Sequence, residues 1–168
     1  MNEKIREAIE YLNMLKGEPL SGIGRGANML WMGFGKDVKT TNLKGEERLV
    51  SEYALHIQCA WRLLYRKRIF TGNGDFYELT ETNDTGDWDT KGGNLFDLKA
   101  VELNSVLSQK CFTIQKIMMR NTGDLKICLS NGLRLEVFPN DSLYEEYWRF
   151  FCYKPELANR GHLVVFQS

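Results

Sequence analysis

Among the residues able to do chemistry, the most regular set lies between Leu49 and Leu64. Glu52, His56, Gln58 and Arg62 hold even positions, while Tyr53, Leu55, Ile57, Cys59, Trp61 and Leu63 hold the odd ones. An imidazole within reach of a carboxylate is raw material for general-base catalysis. Alternation of apolar and polar residues with period two predicts one long, bent antiparallel strand with the polar residues on a single face. Along such a strand Glu52 and His56 stand ~13 Å apart at about 3.3 Å per residue, out of contact unless the strand bulges. No Ser or Cys nucleophile joins them, because Cys59 falls on the other face. The expectation is therefore a polar face, open to solvent or covered by a helix, with no catalytic residue assigned. The rival is a ligand pocket lined by His56, Gln58 and Arg62 together with Arg25 and Arg149, in a small-molecule-binding protein or an enzyme.

A second set is electrostatic. Residues 75–90 carry Asp75, Glu78, Glu81, Asp84, Asp87 and Asp89 with no Lys or Arg, and Gly86, Gly92 and Gly93 punctuate the region. The spacing lacks the D-x-[DN]-x-[DN]-G pattern of a calcium loop, and neither the histidines nor the cysteines show metal-ligand spacing, so no metal or cofactor is expected. A solvated loop is the plain reading. The sharper one is a docking surface for a basic protein, with Asp84, Asp87 and Asp89 around Trp88 as the aromatic anchor. A third set, Arg62, Arg66, Lys67 and Arg68 with Trp61, Tyr65 and Phe70 interleaved, has the ingredients to stack and neutralise a nucleic acid strand. Trp61 belongs to the apolar face, however, and three consecutive cations read as a solvated strand end, so nucleic acid is the weaker partner. The Glu46-Glu47 and Glu145-Glu146 pairs point to opposite faces of a strand and make no dyad. Gly22, Gly24 and Ala27 satisfy G-x-G-x-x-A, but no strand precedes them and no helix follows; a flexible turn is expected there.

These residues need elements to hold them. Ile5, Ala8, Ile9, Leu12 and Leu15 recur at helical spacing, with Asn2 as cap and Gly17 and Pro19 as terminators. Asn28 to Phe34 reads as a strand. Leu95, Leu98, Val101, Val106 and Leu107 suggest a helix capped by Asn94. Phe112–Arg120, Leu125–Leu129 and Leu133–Phe138 form a meander, with Asn131-Gly132 the strongest hairpin signal in the chain. Tyr147–Tyr153, in which Tyr147-Trp148-Arg149-Phe150-Phe151 is rich in aromatics, and Leu163–Phe166 add strands, with a helical turn near Leu143 to Glu146. Strands dominate without regular β–α alternation. The fold class is α+β: mainly an antiparallel sheet or half-open barrel, with an N-terminal helix and one middle helix, in a single domain over residues 1–168.

Composition narrows the partners. The 168 residues are 43% hydrophobic and 26% charged, with Lys plus Arg and Asp plus Glu both at 22 for a net charge of zero. That excludes a disordered chain and disfavours a wholly cationic surface for duplex DNA. No apolar run approaches the ~18 residues of a membrane span and no secretory leader is visible, so a cytoplasmic protein is expected. Cys59, Cys111, Cys128 and Cys152 each lie in apolar stretches and read as reduced thiols.

Ala54-Leu55-His56-Ile57-Gln58-Cys59-Ala60-Trp61-Arg62 resembles the LHIQC-x-WR stretch of a family of small uncharacterised bacterial proteins. Gly123 to Pro139, with its Asn-Gly turn, and Glu146-Tyr147-Trp148-Arg149-Phe150-Phe151 share the likeness, which spans about residues 25–166. Proteins of this kind resemble the stand-alone immunity proteins of bacterial toxin–immunity systems. The resemblance implies a non-enzymatic protein that binds and neutralises a toxin-like protein stoichiometrically, an implication that rests on analogy of type; that such a partner is basic follows from the acids of 75–90.

Overall fold

The computed structural model describes residues 3–42, 44–143, 145–154 and 162–166. Helix α1 (Glu3–Leu12) continues as a 3-10 turn over Asn13–Leu15. It buries Ile5, Ala8, Leu12 and Leu15 of the expected stripe, with Ile9 half-buried at its edge. Gly17, at φ 85°, ends the segment in the left-handed region. The cap expected at Asn2 lies outside the described residues.

Ten strands follow among the described residues: β1 (Leu20–Gly26), β2 (Met29–Thr41), β3 (Glu47–Ile57), β4 (Ala60–Tyr65), β5 (Arg68–Gly72), then helix α2 (Leu95–Leu107), β6 (Ile114–Met119), β7 (Leu125–Leu129), β8 (Leu133–Phe138), β9 (Glu146–Cys152) and β10 (His162–Phe166). They make two five-stranded antiparallel sheets, ordered β1-β2-β3-β9-β10 and β5-β4-β8-β7-β6. The α+β class with an N-terminal and a middle helix is as expected, and the sheets do not close into a barrel. Phe34, Leu55, Ile57, Trp148 and Phe150 of the first sheet share a core with Trp61, Leu63, Ile127, Leu135 and Val137 of the second.

The stretch from Leu49 to Leu64 is extended, but it is two strands in two sheets and not one ribbon. The chain turns a corner at Gln58–Cys59, where both amides donate to the Tyr147 carbonyl (2.9 and 3.2 Å) and the Ala60 amide donates to Asn140 Oδ1 (3.3 Å). Odd residues stay inward on both sides of the corner, with Ile57 and Trp61 alike buried. A two-residue rhythm records which side of a strand faces the core and not which sheet the strand joins, so the break left no trace in the pattern. Burial pushes the Cys59 thiol at that corner up to about 12, leaving it protonated and inert at neutral pH.

The glycine stretch expected as a flexible turn is strand β1. Glycine serves close approach there: a Cβ on Gly24 would sit 2.4 Å from the Trp31 ring laid over it. β1 is an edge strand, and α2 closes part of that edge: Asn104 Oδ1 accepts from the Ile23 amide at 3.0 Å, and its Nδ2 donates to the Ile23 carbonyl at 2.9 Å. The Asn131-Gly132 hairpin forms with both residues at positive φ (81° and 87°), between β7 and β8. Of the helical turn expected near Leu143 to Glu146, residue 144 lies outside the described residues, Leu143 and Glu145 are in a bend, and Glu146 already opens β9.

Candidate functional site: the acidic loop and its arginine clamp

Between β5 and α2 the chain runs through a short 3-10 turn (Asn73–Phe76) into the acidic loop. The loop folds on itself through backbone and side-chain hydrogen bonds. The Thr80 amide donates to the Gly93 carbonyl (3.0 Å) and the Leu95 amide to the Glu78 carbonyl (2.8 Å), so the two ends are held together. Asn83 Nδ2 donates to the carbonyls of Asp87 and Gly93, both at 2.9 Å, while its Oδ1 accepts from Thr85. Fully buried Asn94 caps α2 by accepting from the Asp97 amide (2.9 Å), and its Nδ2 donates to the Trp88 carbonyl (2.9 Å).

Arg25, reaching over from β1, fixes this loop to the rest of the fold. Its Nε and Nη2 donate to the two oxygens of Asp97 at 2.7 and 2.9 Å, a bidentate fork. Its Nη1 donates to Asp89 Oδ1 at 2.5 Å, and the guanidinium also donates to the carbonyls of Ala27, Asp89 and Thr90 at 3.2 to 3.3 Å. The Arg25 side chain is only 7% exposed. Its pKa is raised chiefly by the hydrogen bond it donates to Asp97, against the opposing effect of burial, so it is charged at every relevant pH. Asp97 also accepts from the Gly92 amide at 2.7 Å, tying loop, helix start and β1 into one knot.

This placement redistributes the expected roles. Asp89 is paired with Arg25, and Asp87 accepts from the Asp89 amide at 2.9 Å. Trp88 is half-buried, its ring edge-on to Tyr77 (4.9 Å) and under the Arg25 guanidinium (5.8 Å). It helps hold the loop, and the apolar surface offered to solvent comes from Tyr77 (51% exposed) and Leu79 (41% exposed). Around them Glu78, Glu81, Asp84 and Asp87 are exposed, with one cation, Lys91, nearby in sequence. The result is a shaped, negatively charged surface with apolar side chains at one end.

The pocket candidates do not all converge. Arg25 belongs to the clamp just described. Arg62 lies on the second sheet, hydrogen-bonded through Nε to Glu136 (2.8 Å), which Arg134 and Lys126 also approach at 2.9 and 3.5 Å. Burial raises the Glu136 pKa, but the Arg62 hydrogen bond and the Arg134 charge outweigh it and hold the carboxyl below its usual range. His56, Gln58 and Arg149 do meet, on the outer side of the first sheet. Trp31, His56 and Arg149 lie opposite one another across β2, β3 and β9. His56 packs on Phe151 at 4.7 Å, and Gln58 and Arg149 both bond Glu146. Burial, then the charge of Arg149, lowers the His56 pKa, so its imidazole is neutral at pH 7.

No family model matches the chain, and no curated protein or solved structure matches it significantly. What fold and site define is an α+β protein of two antiparallel sheets with a clamped acidic loop. Sequence reasoning missed the Arg25–Asp97 fork, Tyr77 and Leu79. The one available signal for the fork was a lone cation in the glycine-rich run 21–26.

Proposed function

We propose that this chain is a non-catalytic binding protein that neutralises a basic protein partner, of the immunity type, by docking it on the 77–90 loop. The observation that supports this most is the Arg25 knot: an acidic loop left to itself would repel and fluctuate, whereas this one is cross-braced to β1 and α2 while its outward carboxylates stay exposed. A surface ordered before binding loses less entropy when it associates. Carboxylates around apolar side chains give both steering of a cationic partner and a desolvated contact. The separation of His56 from Arg62 weighs against the rival pocket, since those two would have to share it.

The test uses the full chain as bait in lysate of the cell that produces it. A basic protein should be captured, form a one-to-one complex by sedimentation, and lose its own activity in that complex. Alanine replacement of Asp84, Asp87, Trp88 and Asp89 together should abolish capture; unchanged capture by that variant would remove the loop as the docking surface.

A further inference from the structure

Away from the acidic loop, two adjoining cavities run between the β4–β5 hairpin and α2, sharing Tyr65 and Phe70 as walls. The outer one, about 560 Å³, is rimmed by Arg66, Lys67, Arg68 and Lys99, with no acid among its lining residues. The inner one, about 380 Å³, is lined by Leu103, Val106, Phe112 and Leu133 together with Asn131, Glu102 and Lys110. Glu102 approaches Lys99 at 3.9 Å, so its charge is partly offset from within.

The hairpin holds its cations over the opening. The Arg66 amide donates to the Gly132 carbonyl at 2.9 Å, with Arg66 at φ 55°. The Arg66 guanidinium lies over the Tyr65 ring at 5.3 Å, and the Lys99 ammonium over Phe70 at 5.1 Å. Positive charge therefore clusters at the mouth and apolar surface lies behind it. Volumes of this size are those of small-ligand sites. A ligand that matches both halves carries a negative head and an apolar body. The inner lining is mainly apolar and suits an alkyl chain; of its polar members, Asn131 already accepts from the Leu133 amide at 3.3 Å and Glu102 faces Lys99.

We propose that this groove binds an anionic amphiphile, its carboxylate or phosphate head among Arg66, Lys67, Arg68 and Lys99 and its alkyl chain over Tyr65 and Phe70 into the recess beside Val106. The site is separate from the docking loop and stands or falls independently of it. Isothermal titration of the full chain with laurate and with dodecyl phosphate, each below its micelle concentration, should show one-to-one binding of at least one; which one binds identifies the head group. The K67E/R68E variant, changed at two exposed positions, should bind at least about tenfold more weakly. V106W, which fills the recess and leaves the charges in place, should weaken the dodecyl ligand as well, and supplies the test if the charge variant fails to fold. Equal binding of dodecyltrimethylammonium, which has the same chain and the opposite charge, would overturn the proposal. So would binding of AMP in place of the amphiphiles, or no binding of either anion.

Discussion

Replacing Arg25 with methionine should detach the acidic loop without unfolding the sheets. The guanidinium is 7% exposed and forks onto Asp97, whose side chain is 14% exposed, while its second acidic partner, Asp89, is half exposed. Removing one member of a buried ion pair costs about 3–5 kcal/mol, because the other charge stays desolvated, whereas a pair with solvent access contributes about 0–1 kcal/mol. Asp97 keeps the Gly92 amide as a donor and can relax toward water, which places Arg25→Met near the lower end, at about 3 kcal/mol. Against a typical total of about 5–15 kcal/mol the protein stays folded. Arg25→Lys keeps the charge and loses the fork, and should recover about half of the loss. Urea denaturation gives the global figure. Hydrogen exchange gives the local one: the Thr80, Asn83, Gly92 and Gly93 amides, which donate within the loop and to Asp97, should lose protection first. A loss under about 1 kcal/mol with unchanged protection of those amides would refute the clamp.

Three further outcomes follow from single sites. Glu136→Gln leaves Arg62, Arg134 and Lys126 without their shared anion and should destabilise by about 1–2 kcal/mol at pH 7. Because the folded Glu136 pKa is depressed, its contribution is present above the unfolded carboxyl value and is lost as pH falls through the folded one. Thermal melts from pH 7 to 3 should therefore show a flatter acid limb for the variant. Arg149→Gln removes a positive neighbour of His56 and should raise its depressed pKa, read from the imidazole proton shifts by NMR; an unchanged or lower value would contradict the assignment. Ala27→Gly should stabilise by about 1 kcal/mol, since Ala27 occupies the two-residue β1–β2 connection at φ 48°; a lower denaturation midpoint would count against it.

The readable part of the fold was whatever local periodicity encodes. The α1 stripe, the Asn94 cap, the Asn131-Gly132 hairpin and the inward odd residues of 53–63 all depend on neighbours a few positions away, and all are where the pattern puts them. What depends on distant partners was hidden. The corner at Gln58–Cys59 is made by Tyr147 and Asn140, and nothing between 49 and 64 announces it. Ser21–Gly26 looked like a turn because glycine is a poor strand former; pairing with β2 and room for the Trp31 ring override that preference. The acidic loop was visible as composition, but its order comes from Arg25, 64 residues from Asp89 and 72 from Asp97. Trp88 reads from the sequence as the aromatic anchor of that loop, and its contacts with Tyr77 and Arg25 depend on the same distant partner.

Loop order and loop charge are separable, and the charge carries the docking proposal. The most direct measurement is the affinity of the captured basic partner for E78Q/E81Q/D84N/D87N, a variant that leaves Arg25, Asp89 and Asp97 untouched and so keeps the loop braced. Affinity should fall by about 10- to 100-fold with a slower association rate, and the salt dependence of the wild-type complex should largely vanish. Unaltered affinity and salt dependence, with the loop amides still protected, would contradict docking on this surface.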